Sequence, residues 1–345
     1  MLVPAHQELF NATDVECGFF SETQVLPLVI IKKNIELNLD AWFKENSEKL
    51  KVLHQRYGAI LFRNFEITSA KMFESFVGAS TSKPLDTYLE RQLRRDRISG
   101  NVFTSTAHPK EGEIFLHNEQ SFNLQFPRYI YFNCHKVADK GGATPLADTR
   151  KIYNKIPHVL RDKLIDLGYL YRRNFIPNLY VDWQWAFQAE TKDEAQEYLK
   201  ANQITWKWHD EGLVTLTTEQ VRSVALQHPE TKQPCWFNHC TSFHIDTIEP
   251  KAREFIQRSF SENEYPNHTY FGDGSSIDSE LISILREVYI QEQVTFDWHQ
   301  GDVLMVDNLS VCHGREPFEG ERLVLTAMSE LCKWEDVDLK RTIMS

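Results

Sequence analysis

The stretch FLHNEQSF, residues 115–122, places His117 and Glu119 two positions apart in a run that otherwise reads as a strand. On a strand, residues i and i+2 point to the same side. An imidazole nitrogen and a carboxylate oxygen can therefore be aimed at one point. Two donors hold a metal ion poorly, so a third is needed. His313 supplies it, just after the apolar run DVLMVDN and beside Gly314, which permits a sharp bend. Two histidines and one carboxylate on one face of an ion, with the other face open, are the ligand set of non-haem iron(II) centres that take up dioxygen and a cosubstrate.

A histidine and a glutamate so spaced also arise by chance, and their company decides between the readings. Arg322 follows His313 by nine residues and opens the run RLVLTAM. Its planar guanidinium suits bidentate capture of a carboxylate at a fixed distance from the metal. Thr144, in the turn GGATP, offers a hydroxyl for the same carboxylate. Either would be unremarked alone, as a surface arginine or a turn threonine. Asn118, Gln120 and Ser121 flank the first ligands and are candidates to face a substrate. Arg172 and Arg173, ending GYLYRR, are candidates to meet a substrate carboxylate, with structural arginines as the alternative.

These side chains need a scaffold. YGAILFRNFEI, residues 57–67, is apolar and β-favouring, a buried strand closed by a polar turn. TSAKMFESFVGAS follows with helical spacing at Met72, Phe73, Phe76 and Val77 and with Thr68 or Ser69 as N-cap. RYIYFNCHKV reads as a strand. TRKIYNKIPHVLRDKLIDLG reads as one or two helices ending at Gly168. Residues 174–215 are rich in aromatics (Trp183, Trp185, Phe187, Trp206, Trp208) and weakly periodic, which points to an insertion serving as a lid or a small satellite core. SSIDSELISILREVYIQEQ sets Ile277, Leu281, Ile284, Leu285 and Val288 along one helical face. VTFDWHQGDVLMVDN reads as strand, turn, strand, and GERLVLTAMSELCKW as a last strand. Many short strands without regular strand–helix alternation predict a mainly β, α+β jelly roll with helical decoration, in one domain spanning 1–345.

A formal net charge of -11 over 345 residues argues against a nucleic-acid partner, which needs a basic field. No apolar run of bilayer length and no signal-peptide pattern is present, so no membrane association is expected. Six scattered cysteines read as reduced thiols and point to the cytoplasm.

With these pieces in place, the sequence resembles the taurine dioxygenase / clavaminate synthase-like family of Fe(II)- and 2-oxoglutarate-dependent oxygenases. The resemblance rests on GAILFRNF, LHNEQSF, GGATPLADT, GYLYRRNF, CWFNHCTSF, FGDG, WHQGDVLMVDN and HGREPFEGERLVLTAM, in this order, from Tyr57 to Leu331. It implies a double-stranded β-helix, a cupin-like jelly roll. It implies that His117, Glu119 and His313 hold Fe(II), that Thr144 and Arg322 hold the distal carboxylate of 2-oxoglutarate, and that dioxygen is the oxidant. Glutamate in the triad leans toward the clavaminate synthase-like branch and amino-acid hydroxylases, and away from halogenating relatives, which lack the carboxylate. Where taurine dioxygenases carry a second arginine for the sulfonate, this chain has Thr326, so taurine is not the expected substrate and Thr326 joins the substrate candidates. HNEQSF and HGREPFEGER look most like the aspartyl hydroxylases of syringomycin biosynthesis, which act on carrier-tethered amino acids. The implied activity is hydroxylation of an unactivated C–H bond in an amino-acid-like molecule, in secondary metabolism.

Other readings stay open here. The same family includes desaturases and cyclases. A non-redox cupin-like isomerase or hydrolase could share the triad, though it would not need the Thr144–Arg322 pair. CWFNHCTSFH (Cys235, His239, Cys240, His244) invites a zinc site but lacks the C-x-x-C spacing, so a core strand near the substrate cavity is preferred. The basic run YLERQLRRDR, residues 88–97, is a solvated helix face or a dock for an acidic carrier protein.

Overall fold

The computed structural model describes residues 2–81, 83–85, 96–105, 108–179 and 181–340. Of the basic run at 88–97, only Asp96 and Arg97 fall within them, so the proposed docking face lies outside the described residues.

Among the described residues, a nine-stranded sheet runs Val3–Pro4, Val15–Phe19, Leu28–Lys32, Ala59–Arg63, Val303–Asp307, Gln125–Lys136, Leu323–Lys333, Val102–Thr104, Arg97–Ser99. Its neighbours are antiparallel except Leu28–Lys32 and Ala59–Arg63, which are parallel. A second sheet of three strands, Leu146–Asp148, Val311–Arg315 and Ile114–His117, is antiparallel throughout.

Side-chain alternation sorts the core. Ile60, Phe62, Val303, Met305, Tyr131, Leu325 and Ala327 face an outer cluster with Trp42, Phe43, Leu50, Leu53, Phe73, Phe76 and Val77 of three helices, Leu39–Glu45, Ser47–Tyr57 and Ala70–Ser80. Their sequence neighbours Ala59, Leu61, Leu304, Val306, Ile130, Phe132, Val324 and Met328 face the other way and pack with Leu146 and Val311 of the small sheet. That is the two-fold period of a strand buried on both faces. The small sheet's far side, through Leu116, Ala147 and Cys312, packs on the helices Thr149–Lys155, His158–Leu167 and Ser279–Glu292. Two sheets thus enclose a layer, with helices outside both. Gly58 makes one close approach possible: it caps its helix at φ 77, and a Cβ there would lie 2.4 Å from Val311 Cγ2.

The strand expected within 57–67 forms at 59–63, and the helix that follows forms at 70–80, capped by Ser69, whose side chain accepts from the Met72 N–H. Met72 itself is exposed, and Phe73, Phe76 and Val77 supply the buried face. TRKIYNKIPHVLRDKLIDLG forms two helices because Pro157 interrupts it. The buried face of Ser279–Glu292 is Ile282, Leu285, Val288 and Tyr289, with Leu281 and Ile284 only partly buried. VTFDW is not a regular strand. It contributes one bridge, Val294 to Leu146, before the true strand at 303–307.

Residues 174–215 are more regular than expected. Trp183–Phe187 and Lys192–Ala201 are helices, the second begun by a Thr191/Glu194 capping box. Thr205–Trp208 pairs with Leu216–Arg222 in a four-stranded sheet that also holds Tyr169–Phe175 and Asn267–Phe271. Phe187 is buried and Trp183, Trp206 and Trp208 pack against its cluster, so these aromatics build a satellite core. No helix among the described residues is long and apolar enough to cross a membrane. All six cysteines are free thiols.

Candidate metal centre

His117 is the last residue of its strand and the direct register partner of His313 across the small sheet. Their rings lie 4.6 Å apart. Glu119 is not on that strand. The ladder stops at His117, the chain turns, and Gln120 takes the left-handed conformation at φ 57. The two-residue alternation invoked above is therefore not what aims the carboxylate; a turn does. The convergence nonetheless holds: ligand atoms of His117, Glu119 and His313 all lie within 4.8 Å of one another, the one such group among the described residues. Glu119 Oε2 sits 3.8 Å from His313 Nε2, with both side chains almost fully buried.

The donor set fits an ion. His117 Nδ1 lies 2.8 Å from the Phe115 carbonyl, which can only accept, so Nδ1 carries the proton. That leaves Nε2 with its lone pair for a metal, the usual arrangement in which an outer partner fixes the tautomer. Phe132 lies with its ring 5.0 Å from that of His313.

Thr144 and Arg322 come together as expected. Arg322 Nη2 donates to Thr144 Oγ1 at 3.2 Å and Nε donates to the Gly142 carbonyl at 2.8 Å. Trp298 Nε1 also donates to Thr144 Oγ1, at 3.1 Å. With two donors already on its oxygen, the Thr144 hydroxyl has its own proton left to give. Among the described residues Arg322 pairs with no carboxylate; burial, then the charge of Arg315, pulls its pKa down to about 10. A partly buried cation short of an anion is an acceptor site for one. His117, His313, Thr144 and Arg322 line one cavity with Phe132, Arg315, Val324 and Thr326. An anion held by Arg322 thus shares a chamber with the ligands.

The other candidates separate. Thr326 is fully buried in this cavity, and its hydroxyl finds no partner among the described residues. Asn118 is also fully buried, but its amide donates to the Asn308 carbonyl at 2.7 Å. It braces the turn and is not among the residues that line the cavity. Gln120 is buried within that turn. Ser121 Oγ lies 2.6 Å from His239 Nδ1. Arg173 is buried with its guanidinium 4.5 Å from the Phe175 ring centre, on the strand face it shares with Tyr169 and Tyr171, while Arg172 faces away and pairs with Glu219.

His239 was missed as a site residue. Its ring is 5.3 Å from that of His117, packed on Phe122 and stacked at 4.6 Å on Phe243. Burial, reinforced by the neighbouring His117, holds its pKa well below 6.5, so it is neutral at ordinary pH. Its segment reads in the sequence as a core strand near the substrate cavity, with a zinc site as the alternative, and neither reading singles out His239. Among the described residues Cys235, Cys240 and His244 join no metal-binding group, and the strand there is short, Pro234–Trp236.

Comparison with known proteins adds to this geometry. The family described as taurine catabolism dioxygenase TauD, TfdA matches residues 23–328. The dapdiamide synthesis protein DdaC of Enterobacter agglomerans is 36% identical over 271 residues, covering 79% of this chain and 82% of DdaC. A clavaminate synthase-like protein of Arabidopsis thaliana is 25% identical over 292 residues, covering 82% and 83%. In fold, the chain is similar to PvcB, described as an Fe, alpha-ketoglutarate dependent oxygenase from an isonitrile synthetic pathway, with TM-score 0.55, 15% identity and coverage of 95% and 94%. AAD-2, solved with Mn(II) and N-oxalylglycine, is similar with TM-score 0.52, 12% identity and coverage of 91% and 96%.

Proposed function

The chain belongs to the TauD, TfdA family of iron- and 2-oxoglutarate-dependent dioxygenases, with a double-stranded β-helix core, and on that premise we propose that it hydroxylates an unactivated C–H bond of an amino acid or amino-acid-derived substrate in secondary metabolism. The observation that carries the reading is the cavity that His117 and His313 of the triad share with Arg322, a partly buried arginine that pairs with no carboxylate among the described residues. A non-redox cupin-like enzyme would have no use for that arginine.

In this reading His117, Glu119 and His313 hold the iron by one face, and Thr144 and Arg322 hold the far carboxylate of 2-oxoglutarate. Iron(II), 2-oxoglutarate and dioxygen together supply an oxidant able to take hydrogen from carbon, leaving succinate and carbon dioxide as co-products. The protein's part is placement and exclusion of water. Arg322 and the Thr144 hydroxyl set the length of the pocket. Phe132 and Val324 make its walls apolar. Neutral His239 sits beside His117 and offers a hydrogen bond to a polar group of the substrate without adding charge near the metal. Arg173 stays a candidate for a substrate carboxylate, and residues 174–215 for a lid.

Dapdiamide synthesis by DdaC favours an amino-acid-like substrate. The resemblance of HNEQSF and HGREPFEGER to carrier-dependent hydroxylases makes tethering to an acidic carrier protein the second reading. Both are tested by 2-oxoglutarate-dependent succinate formation with iron(II) and oxygen, using free amino acids beside the same amino acids loaded on a carrier protein. Stimulation by a free amino acid supports a stand-alone hydroxylase; stimulation only by a loaded carrier supports the tethered reading. Stimulation by neither, with uncoupled succinate formation intact, overturns the substrate class.

A further inference from the structure

The turn that carries Glu119 lies outside every sheet ladder, since its strand ends at His117. Buried backbone groups in such a turn must find other partners. Here both come from one side chain. Asn308 Oδ1 accepts from the Glu119 N–H at 2.7 Å. Asn308 Nδ2 donates to the Glu119 carbonyl at 3.0 Å and to the Pro127 carbonyl at 2.8 Å. Asn118 closes the link by donating from its amide to the Asn308 carbonyl at 2.7 Å.

Asn308 is itself fixed. It begins the short connection between the strands Val303–Asp307 and Val311–Arg315, five residues before His313, and its N–H donates to the Arg128 carbonyl at 2.8 Å. The preceding Asp307 is fully buried, with one oxygen 2.9 Å from His228 Nε2 and the other accepting from the Leu309 N–H at 3.0 Å. The connection leading to His313 therefore cannot shift without breaking several buried hydrogen bonds.

We propose that Asn308 is a positioning residue of the metal centre: by clamping both backbone groups of Glu119 to the segment that delivers His313, it fixes the carboxylate ligand relative to the distal histidine. This rests on the metal-centre reading above. The reason is geometric. Two ligands, His117 and His313, are placed by direct strand pairing. The third stands on a turn and would otherwise sample many positions. A ligand held loosely binds its ion weakly, and partners that orient ligands contribute about 10- to 100-fold in affinity.

The test titrates the full-length protein with Co(II), a spectroscopic probe of ligand geometry, in the wild type and in Asn308→Ala, Asn118→Ala and Glu119→Ala. Titrations are run at a temperature where circular dichroism shows each variant folded. Asn308→Ala is expected to raise the Co(II) dissociation constant about 10- to 100-fold and to change the visible spectrum of the bound ion. Asn118→Ala keeps both clamp bonds to Glu119 and is expected to cause a smaller shift in the same direction; it carries the test should Asn308→Ala fail to fold. Lowered melting temperatures with wild-type Co(II) affinity and spectrum would make the clamp merely structural and overturn the proposal. Glu119→Ala separates the two levels. If it binds Co(II) like the wild type, the metal-centre reading fails. If it loses Co(II) while Asn308→Ala and Asn118→Ala do not, only the clamp fails.

Discussion

His117 and His313 are direct partners across two antiparallel strands, and their rings lie 4.6 Å apart. Pairing in the sheet brings together residues 196 positions apart in the chain. The histidine half of the site is thus fixed by the fold, and a metal has little ordering entropy to overcome there.

Arg322 has no carboxylate partner among the described residues and shares its donors between Gly142 and Thr144. Arg322→Ala should raise the KM for 2-oxoglutarate roughly 10- to 100-fold, the range of about 1.5–3 kcal/mol for a charged hydrogen-bonded group. Arg322→Lys should recover only part, because lysine cannot make the forked contact. Steady-state kinetics over a range of 2-oxoglutarate concentrations check this, and an unchanged KM places the carboxylate elsewhere.

Gly142 has φ 74, and a Cβ there would stand 2.9 Å from Arg322 Cδ. Gly142→Ala should cost about 1–2 kcal/mol in backbone strain and also displace the guanidinium. The predicted pattern is a modest fall in melting temperature with a clear rise in KM for 2-oxoglutarate. A fall in melting temperature alone would mean that the side chain moves aside freely.

His54 is buried, and burial holds its pKa down to about 4 against 6.5 when exposed, with Asp307 opposing the shift. The folded protein keeps this imidazole neutral where the unfolded chain protonates it. Its contribution is complete above pH 6.5, declines as pH falls from 6.5 to 4, and levels off below. Within that window one extra proton on the unfolded chain steepens the loss of stability by about 1.4 kcal/mol per pH unit. His54→Gln should flatten the dependence by about that slope, read from urea unfolding at a series of pH values.

Much of this was legible in the chain. The apolar and β-branched runs YGAILFRNFEI, RYIYFNCHKV and GERLVLTAMSELCKW point to the strands that form at Ala59–Arg63, Gln125–Lys136 and Leu323–Lys333, and Pro157 and Gly168 punctuate the helices. The ligand types and the Thr144–Arg322 pair were readable because each chemistry tolerates few residue types. The turn at Glu119 was not. Asn308, in VDNLSV, looks like an ordinary loop residue, and its work depends on a strand pairing nearly two hundred residues away. Phe243, Phe122 and His239 converge only in three dimensions, so nothing local distinguished His239 from a core histidine. At 174–215 the aromatics masked the helical period, although T-x-x-E at Thr191 and Glu194 was a start signal in plain view.

The most direct test of the account is anaerobic addition of iron(II) and 2-oxoglutarate, watching for the visible absorption that arises when a 2-oxo acid chelates iron(II). The account predicts the band in the wild type, its loss in Glu119→Ala with the fold intact by circular dichroism, and a higher 2-oxoglutarate requirement for it in Arg322→Ala. No band in the wild type, or an undiminished band in Glu119→Ala, would contradict the assignment of His117, Glu119 and His313 as the iron ligands.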